Sequence, residues 1–183
     1  AQLNYMRRQS LGVRTDRILV VKFPGPTEGM KIKMEAMRKA IRKLPLVSKV
    51  TCSGSVPGEE VAMFLSNRRT HDALKQNRLY EMLSCDPDYM DAYGLELVAG
   101  RGFSEDYGDD VNKLVINETA ARTLGYTDYE SVIGEEISVE TIEEPMQVIG
   151  VVKDYHQQAL NRNYTPIMLF HKDKIDWIPQ RYI

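Results

Sequence analysis

Residues 146–160 read MQVIGVVKDYHQQAL. Val148, Ile149, Val151 and Val152 form a β-branched run broken by Gly150, and that density predicts a buried strand. The run then turns polar through Lys153, Asp154, Tyr155, His156, Gln157 and Gln158. An acid, a base and a hydroxyl at a strand end suit catalysis. The plainer alternative is a strand running out of the core into a polar loop. Strand geometry favours the plainer reading: successive side chains alternate faces, so Asp154 and His156 share a face that excludes Lys153 and Tyr155. No GxSxG or CGxC context supplies a nucleophile. The expectation is no catalytic residue, and an exposed interaction segment made of Lys153, Asp154, Tyr155, His156, Gln157 and Gln158.

Working outward, Ile137–Val139 reads as the hairpin partner of Val148–Val152, across acidic Glu140–Glu144 and Pro145. Lys113–Ile116 is a strand leading into Asn117, a good N-cap for a helix over Glu118–Leu124, with Gly125 placed to end it. Asp128 caps a second short helix before Gly134. Downstream, Pro166–Phe170 is a strand, and Arg181-Tyr182-Ile183 looks like another just begun. Upstream, Asp86-Pro87-Asp88 starts a short helix bearing Tyr89, Met90 and Tyr93 and ended by Gly94. Val61–Leu65, Leu79–Ser84 and Leu95–Val98 complete the strands of this half.

The first third has a different texture. Arg17–Phe23 (RILVVKF) is nearly continuous in apolar residues and predicts a strand buried on both faces. A helix follows over Thr27–Leu44, with Met30, Met34, Met37, Ile41 and Leu44 on one stripe. Its lysines and arginines read as a solvated face, the later ones favouring the helix C-terminal dipole. Val47–Ser53 is the next strand, so this third is a β-α-β unit. The turn-rich stretch 53–58 (SGSVPG) marks a boundary. Gln2–Leu11 could form a short amphipathic helix.

Composition narrows the function. The 183 residues are 43% hydrophobic and 27% charged, an ordinary globular balance that allows one domain or two small lobes. The net charge of −2 provides no basic field for nucleic acid, and Trp177 and the tyrosines do not alternate with cations as a stacking platform would. No stretch approaches the ~20 apolar residues of a membrane span, and the first residues lack a signal-peptide core. The missing initiator Met suggests a piece of a longer chain, although a processed or engineered terminus would read the same. Glu105–Asp110 lacks the alternating ligands of a calcium loop. Gly100-Arg101-Gly102 lacks both the dinucleotide fingerprint and a GK[ST] ending. No metal or cofactor is expected. Cys52 and Cys85 have no metal-type spacing and could be either a disulfide or two buried thiols.

Four motifs in order, DPDYMDAYGLELVAGRGFSED (86–106), VINETAARTLG (115–125), ESVIGEEISV (130–139) and the opening stretch, resemble the MacB-like periplasmic core domain. RILVVKF and VTCSGSVPGEE (50–60) fit its first half, and the likeness runs over about Leu11–Phe170. The resemblance implies an α+β fold: a split β-α-β, porter-like lobe (13–55 and 172–183, incomplete at the C-terminus) with an inserted mixed α/β, sabre-like lobe (56–171). Residues 1–12 would be the end of a stalk helix. It implies the extracytoplasmic domain of an ABC transporter permease, on the periplasmic side of the cell inner membrane and without enzymatic activity. Such a domain would couple cytoplasmic ATP hydrolysis to periplasmic movement for export or lipoprotein release. The implied partners are a cytoplasmic ATP-binding subunit or domain, a second permease subunit, and a periplasmic adaptor or lipoprotein. The alternative is a stand-alone extracytoplasmic ligand-binding or sensory domain.

Overall fold

The computed structural model describes residues 11–23, 29–61, 63–73, 76–158, 162–175 and 181–183. The expected strand at 146 forms as β6 (Met146–Val152). On one edge it pairs in parallel with β4 (Lys113–Asn117). On the other edge, antiparallel β5 (Glu136–Val139) takes its first residues, Glu136 and Ile137 pairing with Gln147 and Met146 rather than 137–139 with 148–152 as the hairpin reading expects, and antiparallel β3 (Leu97–Gly100) takes its last. From β4 the pairing runs to β7 (Ile167–His171), then β2 (Arg78–Cys85), then β1 (Phe64–Arg69), and β1 returns to β5. The sequence of pairs closes a ring of six strands, with β3 attached to β6 outside it. Closure leaves no free edge within the ring, which protects short strands from pairing with other chains.

Alternation sorts the side chains into two layers. Leu65, Tyr80, Met82, Leu114, Ile116, Ile137, Val139, Met146, Val148, Val151, Met168 and Phe170 converge from all six ring strands into one cluster. Leu83, Cys85, Val115, Ile149, Val152, Ile167 and Leu169 point the other way, into a second cluster. That second layer is covered by Tyr89, Met90 and Tyr93 of the short helix over Tyr89–Ala92, with Leu95, Phe103, Val56, Val61, Tyr155 and Tyr182. Strands β2, β4, β6 and β7 therefore sit between two apolar layers, which is why β4, β6 and β7 carry nearly continuous apolar stretches, while β2 places Glu81 and Ser84 among its apolar residues. Each fully buried Leu, Ile, Met or Phe contributes about 1.5–3 kcal/mol. A register shift between Leu114↔Val148 and Val115↔Gly150 leaves Ile149 as an extra residue in β6. This bulge moves the inward phase from Met146 and Val148 to Val151.

Asn117 ends β4 and caps the helix over Glu118–Thr123, accepting from Ala120 N at 2.9 Å. That helix adds Ala120, Ala121 and Leu124 to the inner cluster. Glu130–Val132 is a 3₁₀ turn where the second short helix was expected, and Glu130 N donates to Asp128 Oδ1 at 3.2 Å. The strand expected over Val61–Leu65 forms as β1, which begins at Phe64 and runs on to Arg69. Asn67 there is fully buried, its amide donating to the sulfurs of Met82 and Met168 at 3.2 and 3.3 Å.

The first third departs most from expectation. Its helix, α1, spans Met30–Ile41, and residues 27–28 of the expected helix lie outside the described residues. Arg17–Phe23 is not a strand buried on both faces: Leu19 is 84% exposed, and β pairing is limited to a bridge between Lys22 and Tyr182. Val47–Ser53 likewise pairs only at Ser53, and the neighbouring Leu46 is 98% exposed. The physical difference is hydrogen bonding. Val21 and Ile183 exchange two backbone bonds at 2.7 and 3.1 Å and Phe23 N reaches Arg181 O, but Ile18 and Leu19 stand against an open cleft. The proposed 1–12 stalk falls outside the described residues except for Leu11 and Gly12.

Candidate functional site

The polar half of the opening stretch leaves β6 and is fixed residue by residue. Lys153 is exposed, and its Nζ reaches Glu96 Oε2 at 3.2 Å. Asp154 Oδ1 accepts from Thr119 N at 2.8 Å, and its Oδ2 accepts from Thr119 Oγ1 at 2.8 Å and Arg122 at 2.5 Å. It thereby supplies a carboxylate to the first turn of the 118–123 helix, where negative charge is favoured. Tyr155 is buried in the outer cluster, and burial drives its phenol far above the ordinary tyrosine value. His156 N donates to Leu11 O at 2.9 Å, and its ring lies on Tyr164 with centroids 4.5 Å apart. Gln157 is buried, its Nε2 donating to Val56 O at 2.8 Å, Glu59 O at 3.0 Å and Ser55 Oγ at 3.3 Å. Gln158 Nε2 donates to Glu81 Oε1 at 2.9 Å.

The structure thus brings the six predicted residues together along one segment but turns them outward in alternation. Tyr155 and Gln157 face inward, and full exposure is confined to Lys153. The burial of Gln157 could not be read from its side chain, because its partners are backbone carbonyls about 100 residues away in sequence.

Sequence reading missed a second polar centre. Arg38 of α1 is buried beside Asp86, Nε to Oδ2 3.5 Å, at the end of β2. Asp86 Oδ1 accepts from Thr51 Oγ1 at 2.5 Å and Oδ2 from Cys52 N at 2.9 Å. Burial pushes the Asp86 carboxyl up from the ordinary aspartate value, and these three neighbours pull against it. Around the pair stand Glu35, Asp88 and Glu105. One signal was available: Arg38 lies one residue from the apolar Met37 and four from Met34, at the margin of the helix stripe rather than opposite it.

The loop after β3 is stapled by Arg101, whose guanidinium grips both oxygens of Asp110 at 2.7 and 2.8 Å and covers the Tyr107 ring at 4.0 Å. This accounts structurally for the glycine- and acid-rich run 100–110. Among the described residues no group of three or more His, Cys, Asp or Glu could hold a metal ion. Likewise, no helix among them is long and apolar enough to cross a membrane. A cleft of about 710 Å³ opens between residues 14–21, 46–53, the C-terminal end of α1 and Tyr182–Ile183. Its walls mix Ile18, Leu19, Leu46 and Val50 with Arg14, Arg17 and Lys49.

A family model described as the MacB-like periplasmic core domain matches residues 3–181. Solved structures share the architecture. A domain of a putative permease from Porphyromonas gingivalis is 19% identical, with a TM-score of 0.53, covering 79% of this chain and 63% of that one. The extracellular domain of the noncanonic ABC-type transporter YknZ from Gram-positive bacteria is 18% identical, with a TM-score of 0.57, covering 89% of this chain and 78% of that one. The periplasmic region of MacB from Actinobacillus actinomycetemcomitans is 18% identical, with a TM-score of 0.55, covering 90% of this chain and 69% of that one. The chain therefore spans less than two thirds of the Porphyromonas domain. At these identities the likeness is one of fold. No curated protein matches the chain.

Proposed function

The chain belongs to the MacB-like periplasmic core domain family, and from that premise we propose that it works as the extracytoplasmic part of an ABC transporter permease. Its task in this reading is mechanical: it relays conformational change driven by ATP hydrolysis on the cytoplasmic side and moves a substrate or lipoprotein on the other. The observation that carries the reading is the family match over residues 3–181. A domain of this kind needs rigid bodies that make different contacts in two states, not a reactive group.

The division we propose has 13–55 and 172–183 as a porter-like lobe and 56–171 as an inserted body. What supports it is the pairing of 21–23 and of Ser53 with 181–183, which joins the two separate segments of the porter-like lobe. Lys153–Gln158 then serves as a tie within the inserted body, joining β6 to the 118–123 helix, to residues 56–59 and to β2. Lys153 and the His156–Tyr164 pair are what it leaves for contact with a partner.

The test uses the intact permease in vesicles with its ATP-binding subunit. Spin labels at Lys39 and Glu143 report one distance between α1 and the β5–β6 turn. The expected result is a different distance distribution in nucleotide-free and ATP-trapped states. An unchanged distribution in a complex that hydrolyses ATP would overturn the mechanical role. Absence of any associated ATP-binding subunit on purification from membranes would instead favour the stand-alone sensory reading.

A further inference from the structure

Helix α1 is seated on the rest of the molecule through a row of ion pairs. Lys31, Glu35, Arg38 and Arg42 recur every three or four residues and so form one stripe. Each meets an opposite charge beyond the helix. Lys31 reaches Asp173 Oδ1 at 3.2 Å, and Glu35 meets Lys172 Nζ at 3.7 Å. Arg38 lies 3.5 Å from Asp86 and 3.7 Å from Asp88, and Arg42 pairs with Asp88 as well. The partners come from the end of β2 and from just beyond β7, so the helix bridges two neighbouring strand ends.

Among the described residues its apolar support is thin by comparison. Met34 is buried, but neither it nor Met30, Met37 or Ile41 belongs to either core cluster. Val50 and Cys52, buried near it, stand outside both clusters too. Ile32 is 76% exposed. Gly29 occupies the N-cap at φ +72° and offers no side-chain acceptor, and the first turn carries no acidic residue among the described positions. Few apolar contacts and weak ends are the marks of an element that opens below the global unfolding free energy.

We propose that α1 is a releasable element, held on the six-strand body by this charge ladder and able to detach while the ring stays folded. The exposed rungs set its sensitivity to salt, because pairs at the surface are screened. Arg38–Asp86 is the buried rung, and it restores one register when the helix reseats, since any other seating leaves a buried charge without its partner. The proposal stands apart from the transporter reading, because its test needs only this chain.

Amide hydrogen exchange read by mass spectrometry decides it, comparing peptides from α1 with peptides from β2, β4 and β6. Sodium chloride is raised from about 0.01 M to about 1 M, which shortens the Debye length from about 30 Å to about 3 Å. The expected result is exchange in α1 accelerated on the order of tenfold, with the strands unchanged. Asp88→Asn, which removes the partner of Arg42 and one of the partners of Arg38 at a partly exposed position, is expected to reproduce the acceleration at low salt. Glu35→Gln provides a second variant on the exposed side of the ladder. Exchange of α1 at the same rate as β2, unaffected by salt and by both variants, would overturn the proposal. So would acceleration of helix and strands together.

Discussion

Gly100 and Gly150 face each other as partners across β3 and β6. A Cβ at Gly100 would stand 2.2 Å from Ile149 O, and one at Gly150 would stand 2.1 Å from Arg101 O. Both contacts are with backbone, so no rotamer change relieves them. The close approach is what the bulge at Ile149 and the turn into Arg101 require, and Gly100 also sits at φ +64°.

Gly150→Ala is accordingly expected to destabilise the fold by about 3 kcal/mol or more, lowering the melting temperature by on the order of 10 °C. Gly108→Ala is the control, because a Cβ there meets nothing within 4 Å. It is expected to change stability by less than about 0.5 kcal/mol. Thermal unfolding followed by circular dichroism separates the two, and equal melting temperatures would refute the close-approach account.

Asn117 ties three backbones together. Its Oδ1 accepts from Ala120 N and from Ile167 N, both at 2.9 Å, and its Nδ2 donates to Thr165 O at 2.8 Å. Asn117→Ala removes a helix cap and strands the Ile167 amide in a buried site, at a cost of about 2–4 kcal/mol. Asn117→Ser keeps an acceptor for the cap but loses the donor to Thr165, so urea denaturation should place it between wild type and alanine. A serine variant no better than alanine would mean that the strand tie, not the cap, dominates.

Local patterns made much of the body legible. The β-branched run at 146–152 and the Asn117 cap formed where their chemistry is complete within a few residues, and a short helix formed at Tyr89–Ala92, two residues after Pro87 and with Asp88 as its N-cap. What stayed hidden depends on distant partners. The apolar content of 17–23 predicts burial, yet Leu19 faces the cleft because its backbone finds no strand to pair with. The six polar residues after β6 read as a surface, yet Tyr155 and Gln157 turn inward to a layer supplied by residues 53–61 and 89–95. The Arg38–Asp86 contact joins residues 48 positions apart, and only the fold brings them together.

Glu81 gives the clearest pH dependence. It is buried on the outer side of β2, and among the described residues no Lys or Arg pairs with it. Burial raises its pKa from the ordinary glutamate value, against the pull of Thr165 and Gln158, and Glu60 adds to the rise. The folded state therefore holds this proton more tightly than the unfolded one. The proton-linked stability is present below the unfolded pKa, about 4.3, and is lost as pH rises through the folded value. Glu81→Gln is expected to gain about 1 kcal/mol relative to wild type at pH 7 and to show little difference near pH 4. Denaturation midpoints across that range check it. The difference between the two proteins is the readout, because Asp86 titrates in the same direction. A difference that does not grow with pH would sink the assignment.

Cys52 and Cys85 are both free and buried, and their placement rules out a bond between them. Ser53 pairs with Cys85 across an antiparallel bridge, and Asp86 N donates to Cys52 O on one flank while Gly54 N donates to Ser84 O on the other. Cys52 therefore stands opposite Asp86, one position out of register with Cys85, and alternation sends the two thiols to opposite faces. Cys85 enters the outer cluster, while Cys52 lies on the Arg38 side. Burial pushes the Cys52 thiol up to about 12, with Asp86 adding to the rise, so almost no thiolate exists at neutral pH. A disulfide reagent should find no reactive thiol in the native protein and two after denaturation. Mild oxidation should leave the intact mass unchanged. Loss of two hydrogens without unfolding would require a register between residues 52–54 and 84–86 other than the one the hydrogen bonds define.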